Sequence, residues 1–404
     1  MSRVVQIGKK IARYLAKGIG AVVLVAIALI ALSSVSPIYN FREAKPFAGP
    51  DIYNPYRNID SAHCWKRANF HTHTRVEGIM NECKFWPEEV LKAYDSLGYD
   101  IVTFSNHNRL TEHPFDPDLQ VNVYEHGYNL SKYHKLVFGS GKVNRFDHIL
   151  PLFAFQRQFQ IDLLSKDSDI IQINHPLRTD GTSKDMMEKL DGYRIIELDS
   201  GRSTENEYWD WALSAGHYSF GTANDDLHFP DRSSRIAIRS NFLCTPSDSY
   251  ADLKKTLLEG CWYSMRTPDY GKGDWEVKYK ENIDLPAIAE IGLDGERIYI
   301  ALTERADSIK ITGQGHSTLK LEKDVCGLDY TMKPEDSYAR ITAYFPDGEV
   351  IYTNPFARYD ASVSSDPFTG PTHAVNILLT VLYNLLVITL TAGTVALLIK
   401  MLRK

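Results

Sequence analysis

Two uncharged apolar runs, one near each end, most constrain what this chain can fold into. The first spans residues 18–37 and follows five basic residues with no acid. The second spans residues 374–399 and precedes three basic residues, again with no acid. Each run is close to the ~20 residues that a helix needs to cross a bilayer. The sequence therefore predicts a transmembrane helix at each end, with both termini in the cytoplasm by the positive-inside rule and the middle exported.

The N-terminal run admits a second interpretation, because a secretory signal peptide also joins a basic start to an apolar stretch. Ala31, Leu32 and Ser33 form an acceptable small-x-small cleavage site. The run continues past a normal signal-peptide core, which favours an uncleaved anchor. Either interpretation places the middle of the chain on the periplasmic or extracellular side.

The middle of the chain is acidic. The 404 residues carry a formal net charge of −6, and without the eight basic residues at the two ends that charge becomes −14. Negative charge repels a nucleic-acid backbone, so nucleic-acid binding is not expected. The five cysteines form no C-x-x-C pair, which argues against a zinc ribbon or a thioredoxin-type motif.

Between the apolar runs the sequence pattern changes once. From about residue 62 to 265, short apolar runs alternate with helical patterns, which predicts an α/β domain with a parallel sheet, open or closed. A Gly-containing polar linker follows Arg266. Beyond it lie alternating apolar runs and the hairpin signals Asp294-Gly295 and Asp347-Gly348. Residues 275–360 are therefore predicted to form a small β-sandwich.

Potential metal ligands recur at the ends of the predicted strands of the first domain. His71 and His73 form an H-x-H pair, and side chains two residues apart on a strand point to the same face. One such pair arises easily by chance, but other candidates follow later strands: His107, Glu125, His134, His175, Asp226 and His228. The carboxyl ends of barrel strands share one rim, and N and O ligands without thiolate suit Zn, Mn or Fe. The sequence therefore predicts a metal cluster at that rim.

The order of these motifs resembles the PHP (polymerase and histidinol phosphatase) family over about residues 62–265. The motifs are His-x-His, a strand ending in Asn-His, a Glu, a His, a strand ending in His-Pro, and Asp-x-His. The resemblance implies a distorted (β/α)7 barrel, followed here by the β-sandwich, with two or three divalent metal ions. It also implies hydrolysis of a phosphate mono- or diester by a hydroxide that bridges the metals.

The resemblance also implies a ligand set for each metal. The first metal would take the four residues also assigned to catalysis: His71, His73, Glu125 and Asp226. The second would share Glu125 and take His134 and His175. The third would take Glu77, His107 and His228. Two positions depart from the family pattern, because Asn106 stands where Asp is frequent and Glu77 where Asp or His is common, so occupancy of the third site is open.

Three arginines follow ligand strands, namely Arg109, Arg178 and Arg202. A guanidinium group can bind a phosphate bidentately, which makes these arginines candidates for substrate binding. Surface exposure or ion pairing is the alternative for each. The substrate would be a phosphorylated small molecule, a glycan or a lipid headgroup.

Two other functions remain open at this stage. An amidohydrolase-type enzyme also begins with His-x-His on a barrel, but it would leave Glu125 and His134 without clear roles. No strand-end lysine is evident to bridge its metals. A non-catalytic sensor or glycan-binding ectodomain, stabilised by metal, is the other alternative.

Overall fold

The fold is described by a computed structural model for residues 3–59, 65–78, 81–178, 181–200, 206–268, 274–368 and 372–403. Within these ranges the α-helices are α1 Arg3–Ser33, α2 Pro87–Asp95, α3 Ala154–Leu164, α4 Lys184–Met187, α5 Asn206–Ser214, α6 Tyr250–Glu259, α7 Trp275–Glu281 and α8 Ile377–Arg403. Helix α2 begins at Pro87, and the Glu89 side chain accepts the Trp86 backbone N–H at 2.8 Å. A glutamate three residues into a helix satisfies a free N–H in this way.

The strands, in chain order, alternate with these helices and then follow one another toward the C-terminus. They are β1 Tyr39–Asn40, β2 Asp51–Tyr53, β3 Lys66–Asn69, β4 Ile101–Val102, β5 Val123–His126, β6 Lys135–Phe138, β7 Ile170–Ile173, β8 Ile195–Asp199, β9 Phe220–Ala223, β10 Arg239–Leu243, β11 Trp262–Arg266, β12 Ile288–Asp294, β13 Arg297–Gly313, β14 Ser317–Thr331, β15 Tyr338–Tyr344, β16 Val350–Thr353, β17 Phe356–Tyr359 and β18 Ala374–Val375.

Most strands belong to two sheets. One has five strands in the order β5-β6-β7-β8-β9. The other has eleven strands along the path β12-β13-β15-β16-β11-β10-β3-β4, with β14, β17 and β2 attached beside it. The structure is thus a mixed α/β fold, as predicted. Strands β7 and β8 are buried and mostly apolar, which is typical of parallel strands covered on both faces.

Among the described residues no hydrogen-bonded sheet closes into a barrel. Neither sheet closes on itself, and β6 pairs antiparallel with both β5 and β7. Strands β3 and β4 are only four and two residues long, so their ladders end where the chain bends into loops. Two isolated bridges, Thr72 with Leu227 and His107 with Glu125, join the sheets beside the predicted ligands. The strand ends that carry those ligands therefore still converge.

The strands of residues 275–360 extend the larger sheet. Strand β16 pairs with β11, with Ile351 opposite Met265. Most residues of a second buried apolar cluster lie in this part of the chain, among them Ile298, Ile309 and Ile341, and the cluster continues into β11 through Met265. The division of the chain into domains at residues 265 and 275 stays a prediction.

The two terminal helices pack against each other, and both are long and apolar enough to cross a membrane. Their polar residues meet just beyond the end of α1. Ser36 exchanges two hydrogen bonds with the Asn384 side chain, at 3.2 and 3.1 Å, and the Ile38 N–H donates to Thr380 Oγ1 at 2.8 Å. Asn384 and Thr380 therefore have partners, although they lie in an otherwise apolar helix.

A buried ion pair joins α5 to β15. Arg340 donates to both carboxylate oxygens of Asp210, at 2.8 and 2.5 Å, and both residues are at most 2% exposed. The Tyr338 hydroxyl adds a hydrogen bond of 3.0 Å to Asp210. Burial alone would raise the pKa of Asp210, but the Arg340 guanidinium outweighs it and lowers that pKa to about 2. The pair therefore stays charged and links the first part of the chain to the C-terminal strands.

Replacing Arg340→Met should lower the free energy of unfolding by about 3–5 kcal/mol, because it removes the buried cation of the pair. The Asp210 carboxylate then keeps only the exposed His316 imidazole as a basic neighbour. Urea denaturation of the detergent-solubilised protein measures the change. As a control, Lys189→Ala removes an exposed ion pair with Asp185 and should cost less than about 1 kcal/mol. Equal denaturation midpoints for the two variants would contradict the role given to Arg340.

Candidate metal centre

The carboxylate of Glu125 lies at the centre of the predicted site. It is 1% exposed, and its two oxygens face different imidazoles. Oε2 is 3.2 Å from the Nε2 atoms of His71, His73 and His107. Oε1 is 3.1 Å from His134 Nδ1 and 3.3 Å from His175 Nε2. Glu125 therefore occupies the position of a carboxylate shared between two groups of ligands.

Asp226 completes the first of these groups. Its Oδ1 is 3.2 Å from Nε2 of His71 and 3.2 Å from Nε2 of His73. In a tetrahedral site with bonds of 2.0–2.1 Å, ligand atoms lie about 3.3 Å apart. The Nε2 atoms of His71 and His73 are buried and have no hydrogen-bond partner among the described residues. The donor atoms thus fit a divalent cation in spacing and in chemistry.

Glu197 orients His71 from the far side of the ring. Its Oε1 lies 3.0 Å from His71 Nδ1, and its Oε2 accepts the His175 backbone N–H at 2.9 Å. With a proton on Nδ1 donated to Glu197, the lone pair of Nε2 points to Glu125 and Asp226. This carboxylate–histidine pairing is common behind metal ligands. The sequence analysis missed Glu197, although an acid inside the buried apolar strand β8 was a usable signal.

The third ligand group contains Glu82 rather than Glu77. Glu82 Oε2 lies 3.1 Å from His107 Nε2, 3.5 Å from His228 Nε2 and 3.8 Å from His73 Nδ1. The Glu77 side chain is exposed, and its backbone oxygen accepts the Arg109 guanidinium at 2.7 Å. Glu82 lies later in the loop after His73 and is nevertheless close to His107 and His228. Residue spacing alone cannot predict this proximity.

Backbone geometry also marks the site. His175 and Asp226 have positive φ angles, +27° and +48°. Non-glycine residues with positive φ cost about 1–3 kcal/mol and gather at functional sites. Asp225 fixes one of these turns, because its carboxylate accepts three successive backbone N–H groups from residues 237–239, at 2.7–3.1 Å.

The charges of the site are strongly coupled. Burial alone would raise the pKa of Glu125, but the His107, His71 and His134 imidazoles lower it well below its ordinary value. Burial would lower the pKa of His107, whereas Glu125 and Glu82 raise it to about 9. The Glu125 carboxylate therefore remains ionised, and its charge favours a proton on His107 or a bound cation. At His134 burial outweighs Glu125 and lowers the pKa to about 4.

Asn106 is buried but serves the backbone and not the ligand set. Its Oδ1 accepts the Thr74 N–H at 2.8 Å, and its Nδ2 donates to the hydroxyls of Thr74 and Thr111, each at 2.7 Å. These bonds hold the segment after His73 against the segment that contains His107.

The predicted arginines have different surroundings. Arg178 pairs with Asp226 Oδ2, the oxygen that does not face the histidines. Arg109 is exposed and donates to a backbone oxygen, and Arg202 lies outside the described residues. A cavity of about 210 Å³ opens beside the cluster, with Arg178, His228 and Arg235 in its wall. Arg235, which the sequence analysis missed, is an exposed loop residue with no distinguishing local pattern.

Comparison with known proteins adds little. No protein-family model matches the chain, and no curated protein matches it. One solved structure resembles it, a two-domain protein from Bacteroides vulgatus that contains a predicted PHP-like metal-dependent phosphoesterase. That alignment covers 78% of this chain and 100% of the other, at 14% identity and a TM-score of 0.39. The likeness is too slight to bear on function.

Replacing Glu82→Gln should weaken binding of a metal between His107 and His228, because the change removes the carboxylate that lies beside both imidazoles. Glu77→Gln, the matched control, should bind metal like the parent protein. Metal content after dialysis, measured by plasma emission spectrometry, compares the two. A greater loss in Glu77→Gln than in Glu82→Gln would contradict the assignment.

Replacing Glu197→Gln should weaken metal binding about 10–100-fold, because residues that orient ligands contribute that much to affinity. Chelator competition measures the affinity, and circular dichroism checks the fold. Glu304→Gln, on the exposed face of β13, serves as the control and should leave affinity unchanged. A folded Glu197→Gln protein with the parent's affinity would show that Glu197 does not orient His71.

Proposed function

We propose that this chain is a metal-dependent phosphoesterase of the PHP type. The observation that carries the proposal is Glu125, whose two oxygens face separate groups of imidazoles. We also propose that strands β3 to β9 form a distorted seven-stranded barrel, interrupted where the two isolated bridges replace continuous ladders. The ligands would hold two or three ions of Zn, Mn or Fe, which suit N and O donors.

The proposed reaction is hydrolysis of a phosphate ester. A water oxygen bonds to phosphorus, the phosphorus–oxygen ester bond breaks, and a proton from the water ends on the leaving alcohol. When bound, the metals would activate the water and neutralise phosphoryl oxygens. The protein supplies the ligand carboxylates, with Arg178 held at the rim by Asp226. Arg178 and Arg235 give the cavity two guanidinium groups, a wall suited to a phosphate anion.

The amidohydrolase alternative has less support. It needs a lysine that bridges the metals, and Lys135 directly follows the ligand His134. The Lys135 amine donates instead to Tyr133 O at 3.1 Å and to Gln160 Oε1 at 2.5 Å. The non-catalytic alternative does not account for two arginines in the wall of a cavity beside the ligands.

We further propose that α1 and α8 anchor the protein in a membrane, with both termini cytoplasmic and the metal centre exported. The two helices have the length and apolar character for this role, and the basic ends set the orientation. The substrate would then be a phosphorylated small molecule, glycan or lipid headgroup on the outer side.

Assays of the full-length protein in detergent test the activity. After metal removal and reloading with Zn, Mn or Fe, it should hydrolyse p-nitrophenyl phosphate or bis-p-nitrophenyl phosphate. Asp226→Asn should reduce the rate at least about 100-fold, because even residues that only orient ligands contribute 10–100-fold. Asp307→Asn, an exposed site, should retain the rate.

Three results would count against the proposal in different ways. A protein that binds no metal would overturn the ligand assignment. A protein that binds metal but cleaves neither ester would favour the sensor or amidohydrolase alternative. Equal activity of Asp226→Asn and Asp307→Asn would separate the observed hydrolysis from this site.

A further inference from the structure

Two loops beside the metal centre carry large apolar side chains in solvent. We call Leu130, Phe146, Leu152 and Phe153 the apolar ridge; they are 66, 38, 55 and 53% exposed. The Leu130 N–H donates to Ile149 O at 3.0 Å, which joins the two loops. Removing a leucine or phenylalanine side chain from water is favourable, because it takes apolar surface out of contact with water. A group of exposed apolar side chains is typical of a surface that contacts a membrane or another protein.

The same loops contact the ends of the two terminal helices. Ser33, the last residue of α1, accepts the Ile149 N–H on its side chain at 3.2 Å, and its backbone oxygen contacts His148 Nδ1. The Phe155 ring lies 5.2 Å from the ring of Tyr383 in α8. Tyr383 in turn donates to Ser34 O at 3.1 Å. The ridge is therefore fixed to both helices where they leave the apolar span.

Helix α3 gives the direction toward the bilayer. Its residue Asp162 contacts His373 at 2.9 Å, just before α8, whereas Phe155 contacts Tyr383 within α8. Phe155 and Asp162 are seven residues apart in the helix, which is about 10 Å along its axis. The start of α3 thus points toward the membrane, and Leu152 and Phe153 lie immediately before that start.

The length of α8 indicates how deep in the bilayer the contact between Phe155 and Tyr383 would lie. A bilayer core takes ~20 helical residues, and that many residues counted back from Lys400 reach Thr380. Tyr383 therefore lies at the outer edge of the hydrocarbon. The ridge, attached beside it, lies at the same level.

The ridge is connected to the predicted metal ligands through residues that neighbour them in sequence. His126, which follows Glu125, bonds through Nε2 to Phe146 O at 2.8 Å. The Tyr128 hydroxyl donates to His107 O at 3.2 Å, and the two rings are 5.0 Å apart. Exposed apolar side chains also flank ligands elsewhere on the rim: Leu177 follows His175, and Phe229 follows His228.

We propose that the apolar ridge lies in the outer surface of the bilayer, and that the substrate is the phosphate ester of a membrane lipid whose tail stays in the bilayer. The proposal rests on the proposed phosphoesterase function and membrane anchoring. A soluble phosphate ester has no apolar part that could contact an apolar rim. A membrane lipid carries its phosphate at the bilayer surface, next to its hydrocarbon tail. Exposed Arg145, beside Phe146, suits the negative surface of a membrane that contains anionic lipids.

Fluorescence measures the position of the ridge without any enzyme activity. Phe153→Trp in the full chain is reconstituted into phosphatidylcholine vesicles with brominated acyl chains. The added emission, relative to the parent protein, should be quenched strongly. Leu321→Trp, a matched exposed position on β14 (48% exposed), should remain unquenched. Equal quenching at both positions, or quenching only at Leu321→Trp, would overturn the placement of the ridge.

Lipid hydrolysis tests the substrate. The parent protein should cleave long-chain phosphatidic acid or phosphatidylglycerol in vesicles better than glycerol phosphate, which has the headgroup chemistry without the tail. The double variant Leu152→Ser, Phe153→Ser should lose about tenfold or more of the lipid activity, because two apolar side chains that would enter the bilayer are replaced by polar ones. Its activity on p-nitrophenyl esters should stay within about a factor of two.

The outcomes separate this proposal from the one it rests on. Cleavage of soluble esters but of neither vesicle lipid overturns the lipid substrate and leaves the phosphoesterase proposal standing. Equal losses on lipids and soluble esters in the double variant would show that the ridge only supports the fold, which also overturns it. Cleavage of no ester at all overturns both substrate assignments, and the fluorescence result still decides where the ridge lies.

Discussion

The charge of Glu125 is the constraint on which the site depends. A carboxylate 1% exposed is costly unless cations or hydrogen-bond donors compensate it. Five imidazoles and the Asn174 amide, at 2.9 Å, provide that compensation. These groups come from both sheets, so the charge can be buried only when the sheets meet. Because metals displace protons from imidazoles, the groups that compensate Glu125 in this structure are also donors of the kind that can hold a metal ion.

Around the ligands lies a layer of buried polar groups that fixes each one. Asn224 donates to Glu197 at 3.0 Å and accepts the Phe70 N–H at 2.9 Å, so it connects the strand of His71 to the carboxylate that orients His71. Asp225 holds the turn that gives Asp226 its positive φ. Buried polar groups of this kind stabilise only when their partners are present, and here each bond also restricts a ligand. Stability and site geometry therefore depend on the same contacts.

Local pattern predicts part of this arrangement. His71, His73, Glu125 and Asp226 stand at strand ends, and the residues that flank them carry the apolar pattern of strands, so sequence alone places them together. Glu82 was missed because it lies in a loop, whose path depends on contacts distant in sequence. Glu197 was missed because its strand is apolar enough to suggest packing alone. Strand alternation predicts a parallel sheet, open or closed, and the family resemblance implies a distorted barrel. Neither reveals ladders as short as β4 or the antiparallel pairing of β6.

The way the two chain ends are attached bears on the proposed membrane anchor. A single flexible tether would keep a domain near a bilayer and leave it free to rotate. Here β1 pairs with β18, so the segments after α1 and before α8 are joined to each other. His373 binds Asp191 at 2.7 Å and Asp162 at 2.9 Å, and although burial lowers its pKa, those carboxylates raise it to about 9, so the imidazolium persists at neutral pH. Two joined attachments fix orientation as well as distance. A fixed orientation is needed when the substrate lies in the membrane, because the site must face the bilayer. A substrate that diffuses in solution reaches the site in any orientation.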